Sequence, residues 1–435
     1  MLKIISCSNT DYKKKLDSYI KKNTSSNKRT SIAVAKILSD IKCLGDKALI
    51  KYIKKYEVKN IKNINDIQVS KKEINNSKQE CSKDFLHALE TAIERVSDYQ
   101  KKLLPKKIIY KDALGMKLGC LWTPLESCGL YVPGGKAFYP SSVIMNAIPA
   151  KLAGVKRLVI TTPSNSLYIK PEILAAASLI GIEEIFKVGG AQAIGAMTFG
   201  TKLISKVDKI VGPGNSFVAE AKRQVFGKVG IDSVAGPSEI MVIADKHNDP
   251  KYIAMDLLSQ AEHDEEASSI LVTDSMKLAK DVNKNISGFL NIIDRKAIAK
   301  KSIKNNGIII IIPNIRFAYK IANLLAPEHL EIMTSKSTNL LNNIKNAGAI
   351  FIGEYTPEAL GDYVAGPSHV LPTSGNARFE SGLSVLDFFK RTSLIQADKK
   401  SLKRLLPAIK TLAKVEGLDA HMKSAEMRFY NKRKN

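Results

Sequence analysis

The sequence predicts an α/β fold that contains two tandem domains, each built around a parallel sheet. Apolar segments typical of strands alternate with helical segments along residues 157–352. This alternation implies parallel βαβ units. The chain of 435 residues is also too long for one compact core. We expect four regions: a mainly helical N-terminal region (1–112), a first α/β domain (113–236), a second α/β domain (237–373) and a C-terminal segment (374–435).

The N-terminal region has helical apolar spacing in several places. Its predicted elements are helices at 32–38, 48–56 and 85–96 and a small strand near Ile67. Two strands follow at 116–122 and 127–132, and Pro133, Gly134 and Gly135 end the second of them.

The predicted alternation of strands and helices lies in the two α/β domains. In the first, the predicted strands are 157–162, 184–189 and 209–212, and the helices are 171–180, 191–199 and 216–225. In the second, the strands are 239–244, 269–273, 307–313, 330–334 and 349–352, with helices at 250–261 and 316–325. The C-terminal segment is expected to be irregular from Ser374 and helical from Ser401, and it is too short to hold a core alone.

Composition argues against several classes of protein. The net charge of +25 comes almost entirely from lysine spread along the chain, and no run interleaves basic and aromatic residues as nucleic-acid stacking platforms do. No apolar run is long enough to cross a bilayer, and residues 1–15 lack the apolar stretch of a secretory signal. Five cysteines without a Cys-x-x-Cys pair predict neither a disulfide framework nor a thiolate zinc site. We therefore expect a cytoplasmic protein that binds neither nucleic acid nor membrane.

Four of the six histidines lie in short segments rich in acidic, amide and glycine residues. These segments are 259–266, 326–330, 361–369 and 416–421. Imidazole is the commonest side-chain metal ligand and carries protons near pH 7. Four such segments together favour a metal-dependent active site over structural histidines.

Gln260 and His263 are three residues apart at the end of a predicted helix, so both side chains share one face. Amide oxygen, imidazole and nearby carboxylates suit zinc, or a harder ion such as manganese. Glu328 and His329 are adjacent where a loop meets a strand, and we expect them to point in different directions. Two neighbouring titratable groups suit two separate proton transfers.

The nucleotide signal is weak at any single position. The chain has no Gly-x-Gly-x-x-Gly motif, and residues 129–136 only approach a P-loop. Gly-rich turns at 189–192 and 212–215 each close a strand before a helix. Such turns can present backbone N–H groups to an anion. Two of them in consecutive βαβ units favour a nucleotide crevice at the carboxyl ends of the strands.

Taken together, these segments resemble the L-histidinol dehydrogenase family. The resemblance runs from about Leu118 to Arg428, in order and at family-like spacing. The matching segments are Gly-Leu-Tyr-Val-Pro-Gly-Gly at 129–135, Val-Gly-Gly-Ala-Gln at 188–192, Val-Gly-Pro-Gly-Asn at 211–215, Ala-Gly-Pro-Ser-Glu at 235–239, Ser-Gln-Ala-Glu-His-Asp at 259–264, Ala-Pro-Glu-His-Leu at 326–330, and the stretches 361–373 and 416–421.

The resemblance implies a fold of two incomplete Rossmann-like domains with small terminal pieces, and it implies a role for each matched residue. The implied zinc ligands are Gln260, His263, Asp362 and, from the other subunit of a homodimer, His421. The implied acid–base residues are Glu328 and His329. The implied substrate contacts are Ser238, His369 and Glu416 together with His329 and the zinc ligands, and the implied nucleotide contacts are Tyr131, Gln192 and Asn215.

The implied reaction is a four-electron oxidation of L-histidinol through the aldehyde to L-histidine, with one zinc per subunit and two NAD per substrate. A related dehydrogenase acting on another small amino or hydroxy alcohol is the nearest alternative, and Glu416, matched to an imidazole contact, favours histidinol. A zinc hydrolase is disfavoured by the two Gly-rich turns, and a nucleic-acid-binding protein would rest on charge alone.

Overall fold

The computed structural model describes residues 1–8, 10–23, 28–134, 138–335 and 337–430. Gly135 and Lys136, which belong to the P-loop-like segment, lie outside the described residues. The strands are β1 (Lys3–Ser6), β2 (Ile108–Lys111), β3 (Lys117–Pro124), β4 (Ser127–Tyr131), β5 (Arg157–Thr162), β6 (Glu184–Lys187), β7 (Lys209–Val211), β8 (Gly230–Ile231), β9 (Glu239–Ile243), β10 (Ser268–Thr273), β11 (Ile308–Ile311), β12 (His329–Ile332), β13 (Ala349–Ile352) and β14 (Phe389–Gln396).

Helices occupy most of the connections between these strands. They are α1 (Tyr12–Asn23), α2 (Lys28–Leu44), α3 (Asp46–Tyr56), α4 (Lys71–Asn76), α5 (Lys83–Lys102), α6 (Pro140–Ala153), α7 (Pro171–Ile180), α8 (Gly190–Phe199), α9 (Ser216–Val225), α10 (Pro250–Ala261), α11 (Met276–Phe289), α12 (Lys296–Asn306), α13 (Ala318–Leu325), α14 (Ser337–Leu341), α15 (Glu358–Tyr363), α16 (Lys399–Val415) and α17 (Asp419–Glu426).

Two parallel sheets confirm the predicted α/β class. The first has the strand order β6-β5-β4-β7-β8, and the second has the order β1-β11-β10-β9-β12-β13. Every residue of β9, β10 and β12 is buried, as expected for strands covered on both faces. β1 comes from the start of the chain and pairs with β11 at the edge of the second sheet.

Several elements differ from the sequence-based expectation. The strand predicted near Ile67 is wrong: residues Ile64–Ile67 form a 3-10 helix, and only Gln68 makes a single bridge, to Phe186. The segment after Ser374, expected to be irregular before it turns helical, contains β14. This strand pairs antiparallel with β3, and β3 pairs with β2, in a separate three-stranded sheet.

Among the described residues, no helix combines the length and the apolar character that crossing a bilayer requires.

Candidate active site

Except for His421, the predicted metal and acid–base residues lie at the amino-terminal edge of the second sheet. α10 begins at Pro250, with Asp249 capping the N–H of Lys251, and its far end delivers Gln260 and the following His263. Glu328 and His329 stand where β12 begins. Glu239, at the start of the neighbouring β9, lies beside them.

Three of the four predicted metal ligands, Gln260, His263 and Asp362, lie on α10, in the turn that follows it and on α15, which contacts α10. Nε2 of His263 lies 4.0 Å from Oδ2 of Asp362. Gln260 is fully buried, yet neither of its amide atoms has a hydrogen-bond partner among the described residues. A buried amide without partners is costly, and a metal bound through its oxygen would satisfy that atom. Amide, imidazole and carboxylate donors therefore fit a zinc ion here.

His329 is held as a neutral base. Its Nδ1–H donates to the backbone carbonyl of Glu239 at 3.0 Å, and this bond leaves Nε2 as the unprotonated nitrogen. Nε2 is buried and has no partner among the described residues. Burial lowers the pKa of His329 to about 4 despite the opposing charge of Asp362. The ring is therefore neutral near pH 7, with Nε2 free to accept a proton.

Glu328 is fixed on the same residue of β9. Its Oε2 accepts the backbone N–H of Glu239 at 2.9 Å and lies 3.7 Å from Nδ1 of His329. The two side chains therefore diverge less than strand alternation predicts. Burial raises the pKa of Glu328 well above its usual value, which makes its carboxylate a stronger base when it does ionise.

Glu358 is a residue that the sequence analysis did not single out. It begins α15, is almost completely buried, and neither carboxylate oxygen has a hydrogen-bond partner among the described residues. Its Oε1 lies 3.4 Å from Nδ1 of His329. Ligand atoms of His329, Glu358 and Asp362 all lie within 4.8 Å of one another. Glu358 follows a proline in an ordinary helix start, so only the fold reveals its position.

His369 joins the two α/β units beside this cluster. Its Nδ1–H donates to the backbone carbonyl of Asp362 at 3.0 Å, and its Nε2 lies 3.4 Å from Oγ of Ser142, near the start of α6. Because α6 follows β4, this contact brings the carboxyl edge of the first sheet next to the amino edge of the second. Ser238 is half-buried and immediately precedes Glu239 at that same edge.

The predicted nucleotide contacts lie at the carboxyl edge of the first sheet. Tyr131 ends β4, and its hydroxyl accepts the N–H of Gly190 at 3.1 Å. Gln192 donates to Glu57 at 2.8 Å. Asn215 caps α9 by accepting the N–H groups of residues 217 and 218. These turns were expected to present free N–H groups to an anion, but the N–H groups of Gly189 and Gly190 bond to Glu57 and Tyr131 instead.

The C-terminal residues do not join the cluster within one chain. Glu416 caps the end of α16, His421 lies on α17, and both are exposed. α17 has no buried residue.

Comparisons with known proteins identify the family of this chain. A family model described as histidinol dehydrogenase matches residues 20–429. The chain is 51% identical to the histidinol dehydrogenase of Gluconobacter oxydans, over 91% of this chain and 92% of the relative. It is 46% identical to that of Clostridium acetobutylicum, over 99% of each.

A solved structure gives the same result for the fold. The crystal structure of histidinol dehydrogenase from Elizabethkingia anophelis superposes with a TM-score of 0.92 at 36% identity and covers 98% of each chain. Since the family model spans nearly the whole chain and the relatives align end to end, this chain belongs to the histidinol dehydrogenase family of enzymes.

Proposed function

We propose that the chain oxidises L-histidinol through L-histidinal to L-histidine, with two NAD consumed per substrate. The observation that carries the proposal is the buried pair Glu328 and His329. Both side chains are fixed on the backbone of Glu239, and they lie beside the group formed by Gln260, His263 and Asp362.

The first oxidation would use His329 as the base. Its unpartnered Nε2 accepts the hydroxyl proton of the alcohol, while the bond from Nδ1–H to the Glu239 carbonyl keeps the ring oriented. NAD, when bound, supplies the hydride acceptor for both oxidations. Tyr131, Gln192 and Asn215 would line its site at the carboxyl edge of the first sheet.

The second oxidation would use Glu328. Its carboxylate, made more basic by burial, removes a proton from the water that attacks the aldehyde carbon. The side chain cannot swing away freely because the N–H of Glu239 holds Oε2. His329 and Glu328 thus act on different protons, one on the alcohol and one on water.

The metal would be zinc, held by Gln260, His263 and Asp362 from one chain and by His421 from a second copy. Zinc, when bound, orients the imidazole and amine of the substrate. The unpartnered amide of Gln260 and the facing carboxylate of Asp362 support this ligand set. Ser238, His369 and Glu416 of the respective chains would complete the substrate contacts.

A homodimer with shared sites is supported by the C-terminal arm, residues 399–430. Its side chains pack mainly on each other, and apolar ones stay exposed, among them Val415 (83%) and Met427 (65%). Exposed apolar surface of this kind is typical of a protein interface. A second copy that covers it would carry Glu416 and His421 to the partner's cluster.

The test is a stoichiometric assay with purified protein, L-histidinol and excess NAD. We expect two NADH and one histidine per histidinol consumed. A metal chelator should abolish the reaction and zinc should restore it. One NADH with free aldehyde accumulating would contradict the proposal.

A further inference from the structure

Glu57 reaches the carboxyl edge of the first sheet, where the predicted nucleotide contacts lie, from outside the strand–helix repeat. It follows α3, which packs on α8. Its Oε2 accepts the N–H groups of Gly189 (3.0 Å) and Ser164 (3.3 Å), and its Oε1 accepts from Nε2 of Gln192 (2.8 Å). A carboxylate thus occupies the turn before α8, which otherwise resembles an anion-binding turn.

The strand order of the first sheet allows the position of Glu57 to be compared with that of acidic residues in dinucleotide-binding sheets. The order β6-β5-β4-β7-β8 corresponds to 3-2-1-4-5 counted along the chain, which is the order of a dinucleotide-binding sheet. In such sheets an acidic residue near the carboxyl end of the second strand binds ribose hydroxyls. Here the second strand is β5, and the residues that follow it are Pro163, Ser164 and Asn165. None of them is acidic, but Glu57 is bonded to the N–H of Ser164.

Local packing keeps Glu57 in this place. A Cβ on Gly189 would collide with Pro163, so glycine lets the turn before α8 lie against the end of β5. A carboxylate has about four acceptor positions. Three are occupied, and the single bond on Oε1 leaves one open. Glu57 is only half-buried, so part of the residue is accessible to a ligand.

We propose that Glu57 determines nucleotide specificity: its carboxylate accepts a hydrogen bond from a ribose hydroxyl of the dinucleotide and excludes nucleotides that carry a phosphate on that ribose. This inference rests on the proposed NAD-dependent reaction. A carboxylate repels a 2′-phosphate at close range, whereas an uncharged acceptor does not.

The experiment compares NAD with NADP in wild type and in Glu57→Gln. The amide keeps an oxygen for the two backbone N–H groups and removes the charge. We expect the KM for NAD to rise roughly tenfold, kcat to change by less than about threefold, and the ratio of kcat/KM for NAD over NADP to fall at least about tenfold. The KM for histidinol should not change.

The matched control is Glu73→Gln. Glu73 also projects from the N-terminal region to this sheet and pairs with Lys187 at 2.9 Å, but its hydrogen bonds go to Ser70 and Lys187 and not to the turn at 189–192. Its NAD to NADP ratio should equal that of wild type. A folded Glu57→Gln enzyme with an unchanged ratio would overturn the assignment. If that variant does not fold, the wild-type enzyme still tests the assignment of Glu57. Turnover of NADP as efficient as that of NAD would also overturn the assignment.

The two proposals can fail separately. Wild type that forms no NADH from histidinol refutes the proposed function. In that case the binding of NAD and NADP to wild type and Glu57→Gln, measured by calorimetry, still tests Glu57, and equal selectivity in both proteins would refute its role.

Discussion

Replacing Glu328 with glutamine should separate the two oxidations. The amide has the shape of the carboxyl group and retains an oxygen that can accept the N–H of Glu239, now bonded to Oε2 at 2.9 Å. Because burial favours the neutral carboxyl in wild type, the substitution adds no new desolvation penalty for a charge. We expect the free energy of unfolding to change by about 1 kcal/mol or less.

The catalytic effect should fall on the second step. A positioned general base contributes roughly 10²- to 10⁴-fold, which corresponds to a barrier increase of about 3–5 kcal/mol. Glu328→Gln should lose this factor when histidinal is supplied as the substrate. Alcohol oxidation, with His329 intact, should slow by less than about tenfold.

Single-turnover kinetics can measure both steps in one experiment. With histidinol and excess NAD, the variant should form the first NADH quickly and the second slowly. Glu331→Gln is the matched control: Glu331 is buried in β12, three residues after Glu328, and its Oε1 accepts the N–H of Glu358 at 2.7 Å. That variant should slow both steps by the same factor. Equal losses in both steps for Glu328→Gln would refute the division of roles.

Three further predictions concern other residues of the proposed site. His329→Asn should slow alcohol oxidation more than aldehyde oxidation in the same assay, and the opposite order would exclude His329 as the first base. Burial raises the pKa of Glu239 to about 7, so the folded protein keeps a proton that the unfolded chain releases above about pH 4.5, and stability falls as the pH rises through this window. Glu239→Gln should therefore be more stable than wild type at pH 8, by up to about 3 kcal/mol, and equally stable at pH 4.5. Urea denaturation at both pH values checks this, and a constant difference would contradict it. Finally, His263→Asn and His421→Asn chains, each inactive alone, should recover roughly one quarter of wild-type activity when mixed, because half the dimers are then mixed and each has one intact site. No recovery after exchange is verified by mass spectrometry would show that His421 does not serve the partner's site.

The sequence predicted the central strands of the parallel sheets, such as β9 and β10, because they are buried on both faces and largely apolar. The isoleucine run that contains β11 is the clearest case. Elements with a different environment were harder to recognise. β14 carries exposed Lys390 and Arg391 on an antiparallel strand, and so lacks that apolar signal. Ile67 is buried in a 3-10 helix, where a short apolar segment looks the same as a strand.

The residues of the candidate site also differ in how far the sequence could predict them. The spacing of Gln260 and His263 predicted that they lie close together, although α10 ends at Ala261 and His263 stands in the turn that follows it. Glu57 and Glu358 could not be predicted, because their roles depend on contacts with residues distant in the chain. The backbone of Glu239, which holds both Glu328 and His329, has no sequence signal, since any residue at that position of β9 offers the same N–H and carbonyl.

Burial gives the Glu328–His329 pair a property that adjacent titratable residues in water lack. It raises the pKa of the acid and lowers that of the base, so both groups favour their neutral forms. In solution near pH 7 the glutamate would be charged. Neutral His329 can take up a proton from a substrate hydroxyl without first breaking an internal ion pair, whereas Glu328 must first lose its own proton before it can act as a base on water. Nε2 of His329 also has no hydrogen-bond partner in the described part of the chain. The two proton transfers therefore depend on the buried edge of β9 and β12, and a substitution that admits water there should impair both.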